Sequence, residues 1–271
     1  MKPKTKSRPS RSTPTNVGRD VIWMRPEQSN RGPKPAHDRR CVALASINIA
    51  DAEGIDLVSM RRIAAVLGIG AASLYRYFLT KDELFELMID VVMGEEEPPE
   101  LTGKWRKDLE EIAYRTRSIL KRHPWMIPLM TYRTTLGPNN LRWWEHILGS
   151  VVQTNLDMDE IVVMTNTLLI FIRGYVMLEL AEEETSRRSG LSREQWMEQQ
   201  GPYGSMIEES GAYPLFTRVM REAKEPHAPD LVERGFALAL TCVLDGFEVQ
   251  IATAKNRKSA RASAKRRLRR K

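Results

Sequence analysis

Only two cysteines, Cys41 and Cys242, occur in 271 residues, each on an expected buried helical face, and they point to reduced thiols in a cytoplasmic protein. The four histidines, His37, His123, His146 and His227, form no His-x-x-His or His-Glu-x-x-His spacing, and there is no Cys-x-x-Cys, so neither a metal site nor a cofactor is indicated. Glu145 and His146 are adjacent, and neighbours on a helix point apart rather than forming a catalytic pair. The supply of convergent chemistry is too thin for an enzyme. No alternating strand pattern and no internal repeat is present, and the N-terminus is charged without the apolar stretch of a signal peptide. The uncharged run from Ile161 to Ile172 has 12 residues, short of the roughly 20 that a membrane span requires.

What is present is a marked segregation of charge. Residues 1–36 carry nine Lys or Arg against two acids, and residues 255–271 carry ten against none. The intervening body holds 23 basic and 33 acidic residues, so an acidic body sits between two basic tails. Basic arms of this kind suit a polyanion such as DNA, or serve only to keep the chain soluble. The N-terminal arm, rich in Pro and Ser, is expected to be disordered, as is the tail at 255–271. Within the arm, Val21-Ile22-Trp23-Met24 is an apolar island that docks either on the body or on a partner. Arg31-Gly32-Pro33-Lys34-Pro35 reads as a minor-groove hook or as a linker.

The remaining chain is organised around Gly54 to Leu84. Ser59 is placed to cap a helix whose apolar stripe is Met60, Ile63, Ala64 and Leu67, and Gly68 follows where a left-handed residue would end it. A second short helix, about Ala71 to Tyr77, turns Leu74 and then Phe78 to the core. It leaves Ala71, Ala72, Ser73, Tyr75, Arg76 and Tyr77 facing outward. Small residues let a helix backbone approach a groove closely, while Tyr and Arg supply phosphate and base contacts. Two short helices with this turn form a helix-turn-helix.

Ser59-Met60-Arg61-Arg62-Ile63-Ala64, then Leu67-Gly68-Ile69-Gly70-Ala71-Ala72-Ser73-Leu74-Tyr75-Arg76-Tyr77-Phe78, then Lys81-Asp82-Glu83-Leu84 resemble the DNA-binding domain of the tetracycline-repressor (TetR) family. The resemblance is dense over Asp38 to Gly94 and loose beyond. It implies that Ser59 and Lys81 hold phosphates, that Arg61 reaches a base, and that Ala71 to Ser73 with Tyr75 to Tyr77 lie in the major groove. It also implies an all-α fold. A three-helix DNA-binding domain over 37–94 would be followed by a helical ligand-binding and dimerisation domain over 95–254, with the acidic, Pro-containing stretch Glu95 to Glu100 as the boundary.

Beyond that boundary the pattern predicts helices near 104–121, 125–133, 139–155, 159–184, 193–200, 214–223 and 229–254. The segments near 159–184 and 229–254 are apolar on most sides. Each is best buried twice, by its own subunit and by a second one, which predicts a homodimer on a two-fold operator. His123, Trp125, Met126, Met130, Tyr132, Trp143 and Trp144, with Phe171 and Tyr175 from the long helix, offer polarizable and aromatic surface for a hydrophobic effector. In the family a His on the short helix helps hold a metal-chelated drug. Met130 stands there in this chain, which argues against a chelate ligand. Thr185 to Pro229 is either a lid over the pocket or a surface excursion with its own cluster.

These readings converge on a ligand-responsive regulator: a homodimeric repressor released from double-stranded operator DNA by a small hydrophobic molecule, with no membrane partner. The rivals are an activator or ligand-independent regulator, and a tail-driven, sequence-blind nucleic-acid binder.

Overall fold

The computed structural model describes residues 21–25, 37–130, 135–223 and 231–268, with side chains of the last helix described for 232–260. All regular structure among them is helical. The arm sequence around Arg31 to Pro35 and the pocket candidate Tyr132 lie outside the described residues.

Helix α1, Arg39–Glu53, starts where the Asp38 carboxylate accepts from Cys41 N at 2.6 Å and ends at Gly54. Helix α2, Met60–Leu67, is capped by Ser59, whose Oγ accepts from Arg62 N at 3.3 Å. It stops at Gly68, whose φ of +66° is the left-handed conformation that residues with a Cβ rarely adopt. Replacing Ser59 with Ala should therefore cost about 1 kcal/mol of unfolding free energy by urea denaturation; an unchanged midpoint would mean that the cap is supplied by water alone.

The next segment differs from expectation. Ala71–Arg76 is a six-residue 3₁₀ helix rather than an α-helix. Tyr77 N and Phe78 N both donate to Leu74 O, so this tighter turn delivers Leu74 and Phe78 together to the core. Helix α3, Lys81–Met93, begins at Thr80, whose Oγ1 accepts from Glu83 N at 3.2 Å, while the Glu83 carboxylate accepts from Leu79 N at 2.6 Å.

The apolar island resolves in favour of docking on the body. Ile22 is 1% exposed within the core of α1–α3. The Arg39 guanidinium holds the island, donating to Ile22 O, Arg25 O and Tyr77 O at 2.9–3.1 Å, and Arg25 pairs with Glu83 at 2.5 Å.

The body consists of α4 (Trp105–Arg122), α5 (Met126–Leu129), α6 (Pro138–Val151), α7 (Met158–Ser189), α8 (Arg193–Ser210), α9 (Pro214–Glu222) and α10 (Leu231–Leu268). Helix α3 packs on α1 and on α6, and α4 packs on α6 and α7. One hydrophobic cluster consequently runs without a break from Val42 and Phe78 through Met88 and Trp143 to Leu168 and Phe236. Helix α10 extends through residues 255–268, which were expected as a disordered tail. The Ala, Lys and Arg of that stretch are strong helix formers and propagate a helix already nucleated upstream.

Helices α8 and α9 pack on each other and bury no residue, leaving Trp196, Tyr203 and Phe216 at least half exposed. They form a surface excursion. By length and composition α7 and residues 232–260 of α10 would each suffice to cross a membrane. Helix α7 buries Leu168 and Ile172 and pairs the buried Glu179 carboxylate with Arg117 of α4, while Val163, Ile170 and Leu178 stand exposed on its other side.

Candidate nucleic-acid interface and effector cavity

The 3₁₀ segment is held from below by Leu74 and Phe78, both fully buried, so its opposite face must project outward. Ala71, Ala72 and Arg76 are exposed, Tyr75 is 53% exposed, and Ser73 is half-buried. Ser59, Arg61 and Lys81 are exposed at the starts of α2 and α3 on either side of it in sequence. Both helix starts carry free backbone N–H groups of the kind that hold phosphates. Lys81 Nζ also lies 5.1 Å from the centroid of Phe85.

Tyr77 does not belong with this set. It is 4% exposed and its carbonyl accepts from Arg39, so it is a core residue that orients the segment. Its outward assignment followed from α-helical spacing, whereas three residues per turn brings position 77 round to the side of Leu74.

The aromatic and Met candidates of the body separate into three groups. Met130, Trp143 and Trp144 line an internal cavity of about 60 Å³, bounded also by Ile89 and Met93 of α3, Thr116, Ile119 and Leu120 of α4, and Leu169 and Arg173 of α7. Trp143 is 2% exposed and its Nε1 donates to Met93 O at 2.8 Å. Phe171 and Tyr175 turn away from the cavity. They stack with Tyr114 and Phe236 in an aromatic cluster, and the Tyr175 hydroxyl donates to Val232 O. Burial, with Glu179 nearby, raises the Tyr175 pKa.

His123, Trp125 and Met126 are packed elements rather than cavity walls. His123 Nδ1 lies 2.9 Å from Asp51 on the last turn of α1, and its Nε2 lies 3.2 Å from Glu95, just beyond α3. Trp125 Nε1 donates to the same Asp51 carboxylate at 2.6 Å. The turn between α4 and α5 thus grips the ends of two helices of the head. Met126 is fully buried beneath it.

A second tie, which spacing alone did not suggest, is Asp90. Its buried carboxylate accepts from Asn139 N and Asn140 N at 2.9 Å and from Asn139 Nδ2 at 3.1 Å, so a residue of α3 caps α6. Burial raises the Asp90 pKa, and these donors oppose the shift. A Cβ at Gly137 would collide with that carboxylate, so the approach of the chain into α6 depends on glycine there. Arg173 was also missed, although it is the one charge in an apolar stretch, and that isolation was the available signal. Cys242, expected on a buried face, is exposed.

An outward-facing 3₁₀ recognition segment on a three-helix head, tied through α3 to a helical body with an internal cavity, defines a DNA-binding helix-turn-helix regulator. Residues 45–88 match the model for bacterial regulatory proteins of the tetR family, and residues 97–251 match the tetracyclin repressor-like C-terminal domain. The chain belongs to the tetracycline-repressor family of transcriptional regulators. It is 36% identical over 239 residues to the transcriptional repressor DrrR1 of Streptomyces coeruleorubidus, covering 86% of this chain and 85% of that protein. It is 27% identical over 212 residues to the repressor Rv1353c of Mycobacterium tuberculosis, covering 74% and 76%. Among solved structures, ActR of Streptomyces coelicolor in complex with actinorhodin is similar, at a TM-score of 0.61 and 25% identity over 79% of this chain and 96% of that one.

Proposed function

We propose that the protein is a cytoplasmic, homodimeric repressor that leaves its operator when a small hydrophobic effector enters the cavity between α3, α4, α6 and α7. The observation that carries this reading is the span of one helix. Helix α3 begins at Lys81 beside the recognition segment and ends at Ile89 and Met93 in the cavity wall. A molecule that enlarges the cavity displaces those two side chains, and the Asp90 cap obliges α6 to follow. The two heads of a dimer then change their separation and no longer meet successive major grooves. The repressor names of DrrR1 and Rv1353c, and the ligand held by ActR, support repression and effector binding.

In this reading Ser59 and Lys81 hold phosphates, Arg61 reaches a base, and Ala71, Ala72, Ser73, Tyr75 and Arg76 lie in the groove. The exposed apolar faces of α7 and α10, with Val163, Ile170, Leu178, Leu238 and Val249, are the dimer interface. Sedimentation at twice the chain mass is the expected result; a monomer at micromolar concentration would remove the two-fold operator from the proposal.

The test is fluorescence anisotropy with DNA from upstream of the protein's own gene against a scrambled duplex, at two salt concentrations. Arg76→Ala should remove about 1–3 kcal/mol of discrimination between the duplexes, with far-UV circular dichroism unchanged because Arg76 is exposed. Binding that is equal on both duplexes and steeply salt-dependent in wild type and variant alike would instead make the basic tails the DNA-binding device. By linkage, an effector lowers operator affinity by the same factor by which operator lowers effector affinity.

A further inference from the structure

Arg117 is buried and Arg173 is partly buried inside the body, and the chain treats them differently. Arg117 is matched by the carboxylates of Glu179 and Glu233 and lies over the ring of Phe236. Arg173 lines the cavity, and its Nη1 donates to Met130 O across a long 3.4 Å. Among the described residues no carboxylate lies within ion-pair distance of it. A guanidinium carries five N–H donors in a planar fork, and the bond to Met130 O occupies one of them. Burial lowers its pKa with no neighbouring charge opposing the shift. A partly withdrawn cation with no carboxylate beside it favours an occupant that supplies an anion.

The rest of the wall indicates what accompanies that anion. The indoles of Trp143 and Trp144 offer flat surfaces, and the unbranched chains of Met93 and Met130 can shift to fit an irregular edge. We propose that Arg173 is the anion-binding point of the cavity, and that the effector is a flat aromatic molecule bearing an acidic group: a carboxylate, a sulfonate or an ionised phenol. This proposal rests on the reading of the cavity as the effector site. The guanidinium fork takes such a group in two parallel hydrogen bonds, while the rings lie between Trp144 and the methionines. At about 60 Å³ the cavity is contracted, far below the several hundred Å³ of occupied ligand sites. Entry therefore displaces lining side chains, and one of them, Met93, is the last residue of α3.

The test uses the full-length protein and two fluorescent probes with the same ring systems, 1-anilinonaphthalene-8-sulfonate and the neutral N-phenyl-1-naphthylamine. Arg173→Met, similar in length and uncharged, should weaken the sulfonate by at least about tenfold and leave the neutral probe within about twofold. Arg173→Lys, which keeps the charge without the fork, should fall between. Leu169→Trp, which fills the cavity, should abolish the binding of both probes; Ile147→Phe replaces it if the tryptophan variant loses its helical circular dichroism. If Leu169→Trp abolishes both probes but Arg173→Met leaves the sulfonate unaffected, the anion point is overturned and the cavity stands as the site. If neither filling variant affects either probe, the cavity reading itself falls and the anion point with it. Failure of the sulfonate to bind wild type while the neutral probe binds also overturns the anion point.

Discussion

Arg117→Met should lower the free energy of unfolding by about 3–5 kcal/mol, measured by urea denaturation at a fixed protomer concentration. Arg117 is fixed on α4, and its guanidinium donates to Glu179 on α7 and, at 2.7 Å, to Glu233 on α10. Three helices meet at one cation. Burial works against its charge and the two carboxylates more than offset it, so its pKa is raised. The variant strands the Glu179 carboxylate, whose side chain is 1% exposed, with only the distant ammonium of Lys121 at 4.0 Å. Glu233 is exposed and can turn to water.

The large term is therefore the desolvated Glu179 rather than a lost attraction, and this gives the prediction its check. Arg117→Met combined with Glu179→Leu should recover most of the loss, because a well-packed apolar pair is close to neutral against a buried ion pair. If the double variant proved as unstable as the single one, the cost would lie in the packing of the Arg117 stem over Phe236.

The same contrast between residues that announce themselves and residues that do not runs through the whole chain. Apolar spacing gave the head, because Ile63, Ala64, Leu74 and Phe78 must be buried wherever the helices stop. It misassigned Tyr77, since the choice between 3.6 and 3 residues per turn rests on the backbone hydrogen bonds to Leu74 O and leaves no trace in hydrophobicity over six residues. The cavity was half legible. Trp143, Trp144 and Met130 were found as a cluster of aromatic and sulfur side chains, but His123 and Trp125 belong to a polar junction made with Asp51, more than 70 residues away in sequence. Asp90 was hidden for the same reason, as its partners are backbone N–H groups some 50 residues downstream. Local pattern reports which face of a helix is buried; it carries no information on which distant element does the burying.

That distinction bears on Trp143, which lines the cavity and is hydrogen-bonded to the last residue of α3. Trp143→Ala should destabilise the protein by about 3–5 kcal/mol, since a side chain only 2% exposed is removed and Met93 O loses its donor. The new void would merge with the existing cavity of about 60 Å³, so it should be roomy enough to accept the missing group from solution. Indole at 100 times its dissociation constant would then restore about 2.7 kcal/mol, seen as a larger rise in melting temperature for the variant than for wild type. Destabilisation without rescue would mean that α6 and α7 collapse into the space. The rescued variant then poses the functional question directly. The Trp143 indole touches α3 through Met93, one of the cavity residues at the end of that helix. If adding indole to Trp143→Ala changes its affinity for operator DNA, occupancy of this cavity is transmitted along α3 to the recognition segment. If indole restores the melting temperature and operator affinity stays constant, Trp143 only fills space, and the tie between cavity and DNA must run through Asp90 or His123.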